Sequence, residues 1–273
     1  MKKQLLLLAL LPLMAACKGK GPDVNNFMLG LGGEGVPVGQ YSSQILKHFN
    51  IDEEKLNANG HVSYGANVGE VANHVKQGMV AAGMIYKTDA FTYDLKIVDH
   101  ATSEMCDQVI YPVAVMSHST KKDAANSFLS YLRTQAAMSR FEGVGFTGMN
   151  KLEEALPQVS DPVTLNVYAA TSMTASLNQV IEDYKTVASN VTIVANFGSS
   201  GALQKQIQEG GDCDVFISAA QKQMNNLADG GFVETETRVN FLENQVVLSV
   251  PEANPYNLTD FASLVSILDQ IDN

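Results

Sequence analysis

The residues best suited to chemistry sit in one short run, Asn196-Phe197-Gly198-Ser199-Ser200-Gly201-Ala202-Leu203. Two hydroxyls between glycines stand where an apolar run gives way to a helix. The β-branched segment Val191-Thr192-Ile193-Val194 precedes them and reads as a buried strand. Ala202-Leu203-Gln204-Lys205-Gln206-Ile207-Gln208 follows, has helical composition and stops at Gly210-Gly211. That order makes an anion site. The first N–H groups of a helix lack internal acceptors, and the macrodipole puts partial positive charge there. Glycine lets a ligand approach the backbone, and serine adds hydroxyl donors. The plainer reading is a helix cap, a position serine favours. A serine nucleophile fits less well, because the nucleophile elbow needs Gly-x-Ser-x-Gly and Gly198-Ser199-Ser200-Gly201 is one residue short.

The rest of the composition narrows what such a site can hold. The chain has 273 residues and a formal net charge of −11. That charge argues against nucleic acid or an anionic membrane surface as partner. A small anion would then be held by local dipoles rather than by a basic field. The histidines (His48, His61, His74, His100, His118) are scattered with no pair at ligand spacing, so no metal is expected to be held directly by protein side chains. With 45% hydrophobic and 17% charged residues the chain can bury a proper core, and its length leaves room for two lobes.

The N-terminus carries a targeting signal. Lys2-Lys3 is a charged n-region, and 5–14 is an apolar stretch too short to span a bilayer. Met14-Ala15-Ala16-Cys17 resembles a bacterial lipobox. Residues 1–16 are expected to be cleaved as a signal peptide and Cys17 to take a lipid, with 17–26 as the tether. Cleavage takes the net charge from −11 to −13, since it removes Lys2 and Lys3. An ordinary secretory signal with an incidental cysteine is the alternative. Cys106 and Cys213 could pair in an exported protein. Their flanks read as separate elements, so two buried free thiols are the default.

The elements that must position the serines alternate regularly. Strands are expected at 27–31, 61–64, 81–86, 96–98, 109–116, 163–169, 191–195, 215–217 and 245–250. Helices are expected at 40–49, 68–77, 122–141 with a break near Thr134, 174–185, 201–209, 220–229 and 258–271. The alternation predicts an α/β protein with largely parallel sheets. The polar stretch 148–161 reads as a linker.

Several segments together are similar to the periplasmic molybdate-binding proteins, type II solute-binding proteins of ABC importers. They are Val167-Tyr168-Ala169-Ala170-Thr171-Ser172-Met173, Phe197-Gly198-Ser199-Ser200-Gly201-Ala202-Leu203, Asp214-Val215-Phe216-Ile217-Ser218-Ala219 with Gln221-Lys222-Gln223-Met224, Val36-Pro37-Val38-Gly39, Gly83-Met84-Ile85-Tyr86-Lys87-Thr88-Asp89-Ala90, and Tyr111-Pro112-Val113-Ala114-Val115. Their order differs from the family's. Residues 27–147 resemble its C-terminal half and 162–273 its N-terminal half, as in a circular permutant whose 148–161 linker joins the usual termini.

The resemblance implies a two-lobed fold with a cleft between the lobes. One lobe comprises 27–110 plus 251–273 and carries Val38, Val68 and Tyr86. The other comprises 111–250 and carries Ser172 and Ser200. The strands 109–116 and 245–250 are expected to pass between them. These five residues would bind molybdate or tungstate through hydroxyl and backbone N–H groups, with no cofactor. Such dianions offer only acceptors, so a donor-only site suits them, whereas a protonated phosphate would call for a carboxylate. The implied protein is a monomeric, extracytoplasmic lipoprotein, held at the membrane by its lipid alone and partnered by an ABC importer permease. Val38 stands where a smaller alanine is usual, and Gly32-Gly33-Glu34-Gly35 replaces the more typical Gly-Asp-Pro-Glu turn. The rival readings are a binder of sulfate or another tetrahedral oxyanion, a serine hydrolase, and a sensor domain without a transporter.

Overall fold

The computed structural model describes residues 22–152 and 159–272. The expected signal peptide, Cys17 and the middle of the linker lie outside the described residues.

Eleven strands are described, in chain order β1 (Leu29–Gly32), β2 (Val62–Gly65), β3 (Ala82–Tyr86), β4 (Lys96–His100), β5 (Val109–Val115), β6 (Thr147–Gly148), β7 (Val163–Ala170), β8 (Val191–Gly198), β9 (Val215–Ile217), β10 (Val239–Asn244) and β11 (Val246–Val250). The helices are α1 (Pro37–His48), α2 (Glu53–Ala58), α3 (Val68–Lys76), α4 (Lys87–Thr92), α5 (Lys122–Leu132), α6 (Gln135–Glu142), α7 (Thr174–Val187), α8 (Ser200–Gln208), α9 (Gln221–Asp229) and α10 (Phe261–Asp272). The strands form two sheets, β2-β1-β3-β11-β4 and β6-β10-β5-β9-β7-β8, and each sheet is the centre of one lobe.

Both sheets are mixed rather than largely parallel. Each has a parallel trio, β2-β1-β3 or β8-β7-β9, built from strand–helix units. The antiparallel pairings involve the strands beside the crossovers: β11 pairs antiparallel with β3 and β4, and β10 with β5 and β6. These crossovers also correct the expected boundary. β11 belongs wholly to the first sheet, so the division falls at Gln245 instead of after residue 250. No strand passes between lobes. The chain crosses at 101–108 and at Gln245, and the Gln245 Nε2 donates to the Ala101 carbonyl, tying the two crossings together at 3.0 Å.

Burial follows the two-residue period of a strand. On β5, Tyr111, Val113 and Val115 belong to the main core. Ala114 and Met116 face a second cluster with Leu203, Ile207, Phe216, Met224 and Leu227 beneath α8 and α9. The helix break falls where expected, because the Thr134 hydroxyl accepts from Ala137 N and starts α6 afresh. α10 packs in the first lobe. Its Phe261 stacks near Phe49 at 6.2 Å, and the Phe261 N–H donates to Asp99. Cys106 and Cys213 are both free. Cys213 is buried, whereas Cys106 is partly exposed.

Candidate functional site

The six strands of the two parallel trios point their C-terminal ends at one small cavity. Ligands of open α/β sheets bind in this place, outside the carboxyl ends of the strands. β1 leads to Val38, β2 to Asn67 and Val68, and β3 ends on Tyr86. On the other side β7 leads to Thr171 and Ser172, β8 to Ser199 and Ser200, and β9 to Ala219. All five residues singled out in the sequence therefore line the same cavity.

Each is delivered by a local rule. Pro37 takes the first position of α1, where a missing N–H costs nothing, and puts Val38 in the first turn. Gly39 allows α1 to start hard against β1, because a Cβ there would run into the Gly32 backbone. Asn67 caps α3, its Oδ1 accepting from Glu70 N at 3.0 Å while Glu70 accepts from Ala66 N. Val68 is the first helical residue behind that cap. The β8 end divides two tasks between neighbours. Ser199 caps α8 through Ala202 N, and Ser200 is the first helical residue, fully buried and turned inward. The strand runs on to Gly198 because pairing with β7 continues to Ala170↔Gly198.

The hydroxyls differ in how they are used. The Ser200 Oγ accepts from Ala219 N at 2.9 Å, which leaves its own proton to donate. The Ser172 Oγ lies 2.7 Å from the Tyr111 Oη. The Tyr86 hydroxyl is buried and has no hydrogen-bond partner among the described residues. An unpaired buried polar group of this kind costs about 1–3 kcal/mol. Burial holds the Tyr86 phenol well above its usual pKa, helped by Tyr111, Tyr41 and Asp89 nearby, so it is a permanent donor.

No charged side chain lines the cavity. Asp89 in α4 lies near Tyr86 without lining the cavity. Burial pushes its pKa up to about 8, only partly opposed by a backbone hydrogen bond, which keeps it protonated at neutral pH. Among the described residues, no group of three or more His, Cys, Asp or Glu side chains is placed to hold a metal ion.

The lobes touch across the cavity mouth. Gly201 N donates to Gly35 O at 3.1 Å. Gly35 has φ +75°, and a Cβ on Gly201 would strike the Gly35 carbonyl and sit 2.8 Å from its Cα. Glycine is required on both sides of this approach. Sequence reasoning missed it, and missed Asn67, Thr171 and Ala219 as lining residues. Asn67 alone carried a local signal, a capping residue three places before a glutamate.

Comparison with known proteins agrees with this architecture. The family model described as bacterial extracellular solute-binding protein matches residues 20–147 and 165–267. The molybdate-binding protein ModA of Haemophilus influenzae is 37% identical over 98 residues, covering 36% of this chain and 39% of that protein. ModA of Escherichia coli is 34% identical over 96 residues, 35% and 37% of the two chains. YvgL of Bacillus subtilis is 37% identical over 102 residues, 37% and 39%. The matched stretch thus spans about two fifths of each of these relatives. In three dimensions the chain is similar to a phosphate-binding protein from Streptococcus pneumoniae at 14% identity, with 90% of this chain and 96% of that one covered and a TM-score of 0.52, a likeness of fold. The length of the family match, together with two lobes meeting over one cavity at their strand ends, identifies the chain as a member of the bacterial extracellular solute-binding protein family.

Proposed function

We propose that this protein captures molybdate or tungstate in the cavity between its lobes and hands it to an ABC importer. The observation that carries the reading is the unpartnered Tyr86 hydroxyl in a cavity without charged side chains. A buried donor with no acceptor suits a ligand made only of acceptors. Ser172, Ser200 and the first N–H groups of α1, α3 and α8 supply further donors and the positive ends of three helix dipoles. Neutral donors avoid the cost of burying a counter-charge, and they bind strongly in a dry site. The naming of the ModA relatives as molybdate-binding supports the same ligand.

A hydrolase draws no support from these contacts. The partners recorded for the two serine hydroxyls are a backbone N–H and a tyrosine, and neither is a base. Calorimetric titration with molybdate, tungstate, sulfate and phosphate tests the proposal. Molybdate and tungstate should bind one to one and more tightly than sulfate, which is smaller and reaches fewer donors at once. Equal affinities would make the protein a general oxyanion binder, and absence of binding to all four would overturn the reading.

The lipid anchor on Cys17 and the permuted chain order form part of the same proposal. The packing of α10 against the end of α1, through Phe261 and Phe49, supports the permutation. On this reading the 148–161 linker joins the family's usual termini and supplies no ligand contact. Cutting it with a protease should leave two fragments that stay associated and still bind the ion, and loss of binding would contradict the permuted order.

A further inference from the structure

A chain of buried hydrogen bonds leads from the crossover between the lobes to Ser172. It starts at Asn244, the last residue of β10. The Asn244 Oδ1 accepts from the Gln245 backbone N–H at 2.9 Å. A backbone N–H can only donate, so this contact fixes which end of the amide is oxygen. The Nδ2 is then an obligate donor, and it faces the Thr88 Oγ1 at 2.9 Å and the Tyr111 Oη at 3.2 Å. Tyr111 is fully buried, and its hydroxyl contacts Asn244 and Ser172. If Ser172 donated to Tyr111, the Tyr111 proton would be left buried without an acceptor. The low-cost arrangement is the opposite one, in which Tyr111 donates to the Ser172 Oγ. The Ser172 proton is then free to point into the cavity.

We propose that Tyr111 and Asn244 are positioning residues that fix the Ser172 hydroxyl as a donor toward the bound anion, through the directional chain Asn244 Nδ2–H to Tyr111 Oη–H to Ser172 Oγ–H. This rests on the oxyanion reading of the cavity. Ser200 reaches the same state by a different route, with a backbone N–H filling its acceptor side. Successive donors polarise one another, so the last proton in the chain is a stronger donor than an isolated serine hydroxyl. Thr88 lies two residues beyond Tyr86, so the chain also connects the two lobes where they join.

A double-mutant cycle on molybdate affinity, read by calorimetry, separates positioning from packing. Tyr111→Phe keeps the buried ring and should weaken binding roughly three- to tenfold, toward the lower end of the coupling between hydrogen-bonded neighbours. In a Ser172→Ala background the same change should have less than about a twofold effect, because the hydroxyl it orients is gone. Equal losses in both backgrounds would mean that Tyr111 only packs, and would overturn the proposal while leaving the oxyanion reading intact. Asn244→Ala replaces Tyr111→Phe in the cycle if the latter does not fold. Neutron diffraction from the ligand-free, deuterated protein reads the chain without any ligand. The Tyr111 deuteron should lie toward Ser172 Oγ. A deuteron from Ser172 lying toward Tyr111 Oη would overturn the proposal even if molybdate binds. If wild-type protein binds none of the four oxyanions, the functional reading fails separately, and the deuteron position still decides the direction of the chain.

Discussion

The two lobes use one plan and finish it differently. Each sends three parallel strands to the cavity, and in each a helix begins where a strand ends. On the serine side of the cavity the three serine hydroxyls are already partnered: Ser200 by Ala219 N, Ser172 by Tyr111, Ser199 by Ala202 N. On the tyrosine side of the cavity the Tyr86 hydroxyl is buried without a partner among the described residues. One side is preorganised, and the other carries a hydroxyl whose cost a ligand could relieve. Binding energy can then come from closing the second half onto the first, as in hinge closure around a ligand.

The largest effect should come from preventing the halves from meeting. Gly201→Val places a side chain against the Gly35 backbone. Affinity should fall by about a hundredfold, as when the competent closed state drops to roughly one molecule in a hundred. Small-angle scattering should report a more open ligand-free molecule. Unchanged affinity would show that the approach of Gly35 and Gly201 is incidental to binding.

Next come the two serines. Ser200→Ala and Ser172→Ala should each cost roughly 1.5–3 kcal/mol of binding, one to two decades in Kd, because a charge-assisted hydrogen bond is lost. Ser200→Ala should also lower the melting temperature of the ligand-free protein, since Ala219 N loses its acceptor. Tyr86→Phe sharpens the contrast. It should weaken binding by about tenfold yet stabilise the ligand-free protein by about 1 kcal/mol, because it deletes an unpaired buried hydroxyl. If Tyr86→Phe and Ser200→Ala shifted stability in the same direction, the distinction between the two lobes would not stand.

A separate effect, on stability alone, concerns Asp89. Its folded-state pKa of about 8 lies above the usual carboxyl value, which is retained when the chain is unfolded. Between about pH 4 and pH 8 the folded state therefore holds a proton that the unfolded chain has released, and stability falls as pH rises. Asp89→Asn removes that slope. Its stability relative to wild type should grow from pH 4 to pH 8, and denaturant melts at three pH values would check this. Parallel curves would mean that Asp89 titrates normally. Molybdate affinity itself should stay level from about pH 6 to pH 7, where the cavity presents no titrating side chain.

Much of the architecture was legible because it is written locally. β-branched runs such as Val191-Thr192-Ile193-Val194 and glycine stops such as Gly210-Gly211 mark elements without any tertiary information. α2 was not legible, since its six residues are mostly polar and only the Asp52 cap announces it. β10 was missed for a similar reason. Its apolar and polar residues do not alternate cleanly, and a register shift between Asn240 and Leu242 interrupts the pairing. At the cavity, Ser200 could be read from the turn that opens a helix, whereas Val38, Val68 and Tyr86 came from the family resemblance. The contacts of Gly201 with Gly35 and of Tyr111 with Ser172 could not, because each joins residues brought together only when distant elements fold around the cavity.

Molybdenum scatters anomalously, so a crystal of the protein grown with molybdate reports directly where the ion goes. A single anomalous peak should lie in the cavity between α1, α3 and α8, with the ion's oxygens within hydrogen-bonding distance of the Tyr86 Oη and of the Ser172 and Ser200 hydroxyls. A peak elsewhere, or a cavity occupied while Tyr86 stays unpartnered, would contradict a donor-only oxyanion site completed by that hydroxyl.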